Sequence, residues 1–285
     1  MRLALRVEYL GRKFQGWQCQ QSGLGIQDAV EEAISKVANQ PTKTIASGRT
    51  DSGVHALGQI LHFNTEAVRS NHQWCMGINH HLPNDISVQW VKEVSDSFHA
   101  RFSAQQRRYV YLLYSGSAPS SLRQAHVLRV HQPLSISAMQ KGAKYLLGEH
   151  DYSAFRSSQC QSKTPFRKVS HLHVYALGET IVVDIAANAF LHHMVRNIVG
   201  SLLTVGKDEK KPEWIRSVLW SKNRKLASEK VKSNGLYLLE VLYPEHHDLP
   251  KPDLLFMGWD FRHFALSHDK LNAFVLSSED DLPNI

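Results

Sequence analysis

The segment Ser47–Gln59 combines three glycines with a single acidic side chain, a composition that suits a reactive loop. Asp51 is the only Asp or Glu between Ala33 and Thr65, and Arg49 lies two residues before it. A neighbouring guanidinium favours the ionised form of a carboxylate. We therefore expect Arg49 to pair with Asp51 and to keep it charged; the alternatives are that Arg49 contacts a phosphate or fills the gap left in a base stack. Such a carboxylate suits a nucleophile or an electrostatic anchor better than a proton donor.

The triplet Asp51-Ser52-Gly53 also matches the core of aspartic proteases. Those enzymes need two carboxylates that share a proton, and this sequence has one such triplet with an arginine beside it. A phosphatase nucleophile would need a second acid nearby, and the loop contains none. Both classes are disfavoured. From Asp51 alone, a structural aspartate in a turn remains the alternative to a catalytic one.

Two tyrosines form a second candidate feature. Tyr109 and Tyr111 alternate along a strand-like segment beside Arg107 and Arg108. Aromatic rings flanked by arginines are typical of platforms on which nucleobases stack. Packing in a sheet core is the alternative, which we favour for Tyr111 and leave open for Tyr109.

Adjacent histidines, His192 and His193, suggest a metal site at first sight. Helical spacing places both in a helix over Phe190–Val205, where neighbouring side chains point in different directions. We therefore predict no metal at this pair. The cysteines lack the close spacing of a disulfide framework or a zinc knuckle: Cys19, Cys75 and Cys160.

The chain has 285 residues, a net charge of +7 and a pI of about 9.3. Ser97–Gly148 and Tyr152–Gly178 contain bases but no acid. By contrast, His246–Ile285 carries seven acids against three bases, which leaves 30 bases and 19 acids in the remainder. This asymmetry indicates a polyanionic partner, with nucleic acid as the first candidate. A solvated basic surface without a ligand is the alternative.

The N-terminal residues lack the apolar run of a signal peptide. No apolar segment approaches the roughly 20 residues of a membrane span. We therefore expect a cytoplasmic protein without a membrane partner.

Hydrophobic periodicity supplies the elements that position these residues. Period-two alternation predicts strands over Leu3–Tyr9, Gln59–Asn64, Ile86–Trp90, Arg107–Tyr114, Arg167–Ala176, Thr180–Ala187 and Gly235–Tyr243, with a further short strand over Lys43–Ala46. Helical spacing predicts helices over Ile26–Val37, Asn71–Ile78, Leu134–Leu147, Phe190–Val205 and Pro212–Trp220.

This order predicts an α+β (mixed α/β) fold built on a mixed, mostly antiparallel sheet. We expect two similar strand–helix–strand halves. Residues 1–105 form the half that carries the Asp51 loop, and residues 106–249 form the other. Residues 250–285 form a C-terminal tail of unknown role.

Five motifs follow one another along the chain: Gly16–Gln18, Gly48–His55, Phe98–Phe102, Arg108–Tyr109 and Asn188–Asn197. In these motifs, and from about Leu3 to Leu249, the sequence resembles the tRNA pseudouridine synthase A family. The family loop often has Ala where Ser52 stands, which is another small residue.

The resemblance implies a pseudouridine synthase fold and a cofactor-free isomerase that needs no metal. Such an enzyme converts uridine to pseudouridine at positions 38, 39 and 40 of the tRNA anticodon arm. The essential aspartate of the family corresponds to Asp51, which attacks C6 of the ring or C1′ of the ribose, or assists through a glycal. The resemblance assigns Tyr109 to stacking on the target uracil. It assigns Arg49 to pairing with Asp51 and to supporting the flipped base, because a stacked base hides its reacting atoms.

The resemblance also implies a set of RNA contacts: Arg69, Phe98, His99, Ala100, Arg101, Phe102, Gln159, Cys160, Gln161, Ser162 and Lys163. It further implies a homodimer in which one tRNA touches both subunits. The alternative function is a tRNA-binding or folding factor with little catalysis, which would share the basic surface but would not require Asp51.

Overall fold

A computed structural model describes residues 1–252, 254–256 and 259–261. Met1–Pro250 forms one compact unit, and the described residues after it belong to a second. In the second unit, Leu255–Phe256 pairs antiparallel with Trp259–Asp260. Most of the tail proposed for residues 250–285 lies outside the described residues.

The first unit is built on a ten-stranded mixed sheet. Its strands are β1 (Arg2–Tyr9), β2 (Ile45–Ala46), β3 (His55–Asn64), β4 (Ile86–Val94), β5 (Gln106–Ser115), β6 (Leu128–Val130), β7 (Gly148–Asp151), β8 (Phe166–Leu177), β9 (Thr180–Ala187) and β10 (Leu236–Leu242). The order across the sheet is β4-β1-β3-β10-β5-β9-β8-β7, with β2 beside β3 and β6 beside β5. The β3–β10 and β5–β6 pairs are parallel, whereas the other pairs are antiparallel. These findings confirm the predicted fold class.

Strand β10 lies between the strands of the two proposed halves and joins them in one sheet. It pairs in parallel with β3 and antiparallel with β5. Residues 1–105 and 106–249 therefore share one continuous sheet within the Met1–Pro250 unit. The division into halves stays a prediction.

Five α-helices accompany the sheet in the described residues: α1 (Ile26–Ala38), α2 (Asn71–His81), α3 (Ile136–Lys144), α4 (Met194–Gly206) and α5 (Glu213–Ser221). Ser70 and Ser135 cap α2 and α3, each through a hydroxyl that accepts a hydrogen bond from the backbone N–H three residues later. Among the described residues, none of the helices combines the length and apolar character needed to cross a membrane.

Alternating side chains of β1 divide the interior into two apolar clusters. Leu3 and Leu5 face a large cluster that also contains buried residues of all five helices. Ala4 points to the opposite face, as expected for a strand. There it joins a smaller cluster with Ile60, Phe98, Ala100 and Tyr243.

Candidate active site

The loop that carries Asp51 connects β2 to β3 and is fixed by the strand that follows it. Ser47 donates its hydroxyl hydrogen to Gln59 Oε1 at 2.6 Å, and Gln59 Nε2 donates to the carbonyl of Gly48 at 2.8 Å. The backbone N–H of Val54 donates to the carbonyl of Asp51 at 3.2 Å. These bonds hold the aspartate at the first position of a tight turn over residues 51–54.

The last residue of β1 and the segment after that strand support the loop. The backbone N–H of Trp17 donates to the carbonyl of Thr50 at 3.0 Å, and the Tyr9 hydroxyl lies 2.8 Å from Thr50 Oγ1. Gly16 has a φ of 97°, and a Cβ there would lie 2.8 Å from the Thr50 carbonyl oxygen. Only glycine fits this close approach, so the Gly16-Trp17 motif positions the peptide bond next to Asp51.

Three side chains from a distant part of the sequence surround the Asp51 carboxylate. Arg196 Nη1 lies 3.1 Å from Oδ2. His192 Nε2 lies 3.5 Å from Oδ1, and His193 Nε2 lies 3.5 Å from Oδ2. The carboxylate keeps 21% of its side-chain surface exposed, so a substrate can reach it.

The two histidines converge because the helix begins later than the periodicity predicts. Helix α4 starts at Met194, and His193 before it has a φ of 63° in the left-handed region. The predicted helical separation of the two rings was therefore wrong. His192 and His193 instead lie with ring centroids 3.7 Å apart and both turn towards Asp51.

Positive charge at the carboxylate comes chiefly from Arg196. Burial lowers the pKa of His193 to about 4, although the charge of Asp51 opposes this shift. His193 is therefore neutral at pH 7. Arg196 is permanently charged, and its Nε also donates to the carbonyl of Val231 at 2.9 Å, which fixes the direction of the guanidinium.

Asp51, His192 and His193 also form a set of atoms that could hold a metal ion, because the ligating atoms lie within 4.8 Å of one another. Two imidazoles and a carboxylate are ligands typical of zinc. A metal ion would, however, compete with the guanidinium of Arg196 for Oδ2. The residues present therefore fit a carboxylate–arginine pair better than a metal centre.

Tyr109 reaches the same site from β5. Its side chain is 8% exposed, and its ring meets the Phe190 ring edge-on with centroids 5.2 Å apart. Burial raises the pKa of the Tyr109 hydroxyl, and the nearby charge of Asp51 raises it further. Tyr111 is fully buried and donates to the carbonyl of Lys232 at 2.6 Å, in agreement with the favoured core interpretation.

The arginines before Tyr109 have structural partners. Arg108 is fully buried and donates two hydrogen bonds to Asp184, at 2.9 and 2.7 Å, and one to Glu240 at 2.8 Å. This network ties β5 to β9 and β10. The expectation that Arg108 flanks a stacking platform is thus corrected, since its charge is paired with two carboxylates inside the protein. Arg107 donates to backbone carbonyls of three separate segments, among them that of Ser47 at 2.8 Å.

Arg49 does not occupy the predicted position. Among the described residues, the arginine in an ion pair with Asp51 is Arg196, and the Arg49 side chain is exposed. The predicted Arg49–Asp51 pair is corrected accordingly, because Arg196 already occupies Oδ2. The proposed contact of Arg49 with a substrate base stays a prediction.

The proposed RNA contacts near Arg101 differ in accessibility. Phe98 and Ala100 are fully buried, so they support the fold and cannot contact RNA directly, which corrects the expectation for these two residues. Arg101 and Phe102 are exposed, and the Phe102 ring stacks on His99 with centroids 4.3 Å apart. These three side chains remain proposed contacts. Arg69 is also exposed and lies in the segment before α2.

The segment Gln159–Lys163 is connected directly to the site. Cys160 Sγ accepts a hydrogen bond from the backbone N–H of His192 at 3.4 Å. Burial opposes ionisation of this thiol, but N–H donors of His192 and Ser162 and the charge of Arg156 outweigh it, so the pKa of Cys160 lies below its ordinary value. Gln159, Gln161 and Lys163 are exposed and available to a ligand, whereas Ser162 is half-buried.

Sequence reasoning missed Arg196 as the partner of Asp51. The arginine stands within the Asn188–Asn197 motif, 145 residues after the aspartate. That motif was the available signal, but its side-chain directions depend on where α4 begins.

A sequence profile described as "tRNA pseudouridine synthase" matches residues 6–103 and 143–244, which include Asp51 and the His192–Arg196 segment. Three proteins named tRNA pseudouridine synthase A are similar over most of their lengths. That of Mannheimia succiniciproducens is 50% identical over 254 residues, covering 89% of this chain and 97% of its own. That of Histophilus somni is 50% identical over 268 residues, covering 92% and 100%. That of an Enterobacter species is 49% identical over 253 residues, covering 89% and 94%.

Proposed function

Because this chain belongs to the tRNA pseudouridine synthase family of isomerases, we propose that it converts the uridines at positions 38, 39 and 40 of the anticodon arm. In this proposal Asp51 is the nucleophile and the target base is flipped out of its stack. The observation that carries it is the partly exposed Asp51 carboxylate, held by Arg196 in a site that Tyr109 also lines.

The reaction breaks the C1′–N1 bond, turns the uracil and joins C1′ to C5. C5 loses a proton and N1 gains one, so the reaction balances without an external proton or a cofactor. Asp51 attacks C6 or C1′, or assists through a glycal. Arg196 holds the carboxylate in place during these steps, and its fixed charge stabilises the anionic form that attacks.

Tyr109 supports the target base. Because its pKa is raised, the hydroxyl stays protonated near neutral pH. We therefore assign the ring to stacking on the uracil, and the protonated hydroxyl to a relay in which it passes its own proton to N1 as it accepts the proton from C5. The exposed guanidinium of Arg49 can insert into the gap that the flipped nucleotide leaves in the base stack.

The remaining RNA contacts are proposed to lie on exposed basic and aromatic side chains. They include Arg69, Arg101, Phe102 and Lys163. The basic excess of the chain supports this arrangement, and binding should weaken steeply with salt as counterions are released.

We also assign the enzyme to the cytoplasm and to a homodimer in which one tRNA touches both subunits. The family membership supports both assignments. Mass measurement in solution, with and without tRNA, tests the dimer: a monomer that modifies tRNA at full rate would contradict it.

The test of the proposed function is a pseudouridine map of an unmodified tRNA transcript that carries uridine at positions 38, 39 and 40. Incubation with the protein should produce pseudouridine there, and a transcript with cytidine at these positions should gain none. Tight binding without any pseudouridine would favour the alternative, a tRNA-binding or folding factor with little catalysis.

A further inference from the structure

An open cavity of about 590 Å³ shares His193 with the site. Four basic side chains line it: Arg156, Lys222, Arg224 and Lys230. Hydroxyl and amide groups complete the lining, among them those of Ser157 and Asn197. The cavity therefore offers many hydrogen-bond donors and a concentrated positive charge.

Most of this charge lacks an acidic partner among the described residues. Arg156 donates to the carbonyls of Cys160 and Ser162, at 2.8 and 2.7 Å. Arg224 donates to Asn197 Oδ1 at 2.9 Å and to a backbone carbonyl. These acceptors are neutral, so they orient the two guanidinium groups without cancelling their charges.

The two lysines of the cavity, Lys222 and Lys230, also have little acidic compensation. Lys222 has one acidic neighbour in the described part of the chain, Asp151, at 3.6 Å. Lys230 Nζ lies 3.4 Å from the ring of His193. Partial burial lowers the pKa of Lys230, and the charges of Arg196 and Arg224 lower it further, with Asp51 opposing. Mutual repulsion of this kind is relieved when an anion binds between the cations.

One residue, His193, contacts both the cavity and the Asp51 carboxylate. His193 lines the cavity, and its Nε2 lies 3.5 Å from Asp51 Oδ2. An anion here would lie beside the nucleotide that Asp51 attacks. A nucleotide in an RNA strand carries a phosphate on each side, and phosphate contacts fix the position of a nucleic acid on a protein.

We propose that the cavity lined by Arg156, Lys222, Arg224 and Lys230 binds a backbone phosphate of the substrate RNA next to the flipped nucleotide. This inference rests on the proposed function, because it assumes that RNA enters the site. The phosphate site holds the strand while the base turns, so that C1′ stays beside Asp51 after the glycosidic bond breaks.

The double variant Lys222→Ala/Lys230→Ala tests the site. Lys225→Ala is its matched control, because Lys225 is an exposed lysine of the same segment that does not line the cavity. For an anticodon-arm RNA, we expect the double variant to raise Kd by on the order of tenfold. The slope of log K against log salt should become shallower by about 0.7 for each phosphate that the protein no longer neutralises. The control should keep both values.

RNAs in which one phosphate linkage is replaced by an uncharged one test whether the cavity binds a backbone phosphate. Anticodon-arm RNAs each carry one methylphosphonate near the target uridine, with a 2′-O-methyl group that protects the linkage. At one position the neutral linkage should weaken binding to the wild-type protein by on the order of tenfold and leave binding to the double variant nearly unchanged. Equal weakening for both proteins at every position would overturn the proposal.

A titration with inorganic phosphate tests whether the cavity binds free phosphate instead of a phosphate of the RNA. If calorimetry detects phosphate binding that the double variant does not show, while the RNA series shows no coupling, the cavity serves free phosphate and the RNA assignment is overturned. The binding series requires no turnover. Failure of the proposed function would instead appear as wild-type protein that forms no pseudouridine, so the two failures are separable.

Discussion

Arg196 and Asp51 are 145 residues apart in the sequence, yet Nη1 of the arginine lies 3.1 Å from Oδ2 of the aspartate. The contact joins the first turn of α4 to the loop between β2 and β3. It couples the position of the reactive carboxylate to the helix and to the His192-His193 pair before it. The site therefore depends on the relative placement of two distant segments rather than on the loop alone.

Replacing Arg196 by Met should reduce the rate of pseudouridine formation on the order of 10- to 100-fold. A hydrogen bond to a charged group contributes about 1.5–3 kcal/mol, and each 1.4 kcal/mol is about tenfold in rate. Single-turnover measurements with saturating enzyme isolate this step. Arg216→Met on α5 is the control and should leave the rate unchanged. If Arg196→Met reacts at the wild-type rate, Arg196 has no role in positioning or stabilising the Asp51 carboxylate during the reaction.

Replacing Tyr109 by Phe should abolish most turnover and weaken tRNA binding only modestly, because the ring is kept and the hydroxyl is removed. Tyr111→Phe should keep turnover but lower stability by about 1 kcal/mol, since it removes a buried hydrogen bond to the Lys232 carbonyl. Rates, binding constants and melting curves of both variants separate the two roles. Full activity of Tyr109→Phe would leave that hydroxyl with a packing role only.

The buried ion pair between Arg108 and Asp184 should be far more important for stability than an exposed one. Arg108→Met removes the guanidinium partner of buried Asp184 and leaves it the His171 ring at 3.4 Å, which costs about 3–5 kcal/mol. Arg123→Met removes an exposed pair with Glu179, for which about 0–1 kcal/mol is expected. Urea unfolding of both variants provides the comparison. Similar midpoints would show that the network at the β5–β9–β10 junction is dispensable.

Acid should destabilise the folded protein between pH 6.5 and pH 4. Burial lowers the pKa values of His55, His62 and His193 to about 4, from an ordinary 6.5. In this window the unfolded chain binds more protons than the folded one, so the free energy of unfolding falls as the pH falls. Urea unfolding across the range measures the slope.

His55→Gln should flatten that slope, whereas His72→Gln, at an exposed position of α2, should leave it as in wild type. A slope that is identical in all three proteins would contradict the contribution of buried His55.

The sequence predicts the elements of this fold well where a local pattern decides them. Helical spacing along α1 reflects its buried face, and the alternation along β1 reflects the larger apolar side chains that face the main cluster, although β1 is buried on both faces. Both elements form where expected. The start of α4 was misplaced because it depends on the left-handed backbone of His193, which no periodicity reveals. Arg108 could not be recognised as buried, since its acidic partners lie 76 and 132 residues away.

The Asp51 loop was identified because glycines and a lone acid occur close together in the chain. The arginine that pairs with Asp51 was misidentified because it is distant from the loop in the sequence. Arg49 is the nearest arginine in sequence, whereas Arg196 is the one that the fold brings to the carboxylate. Only the tertiary structure relates these two segments.

The most direct test of the account is the pseudouridine content of anticodon-arm uridines after incubation with Asp51→Asn protein. The substitution keeps the size of the side chain and removes its negative oxygen. We expect tRNA binding to persist and pseudouridine formation to fall by at least about 10⁴-fold, as for removal of other nucleophiles. Pseudouridine formed by the variant at the wild-type rate would contradict the assignment of Asp51 as the reacting group.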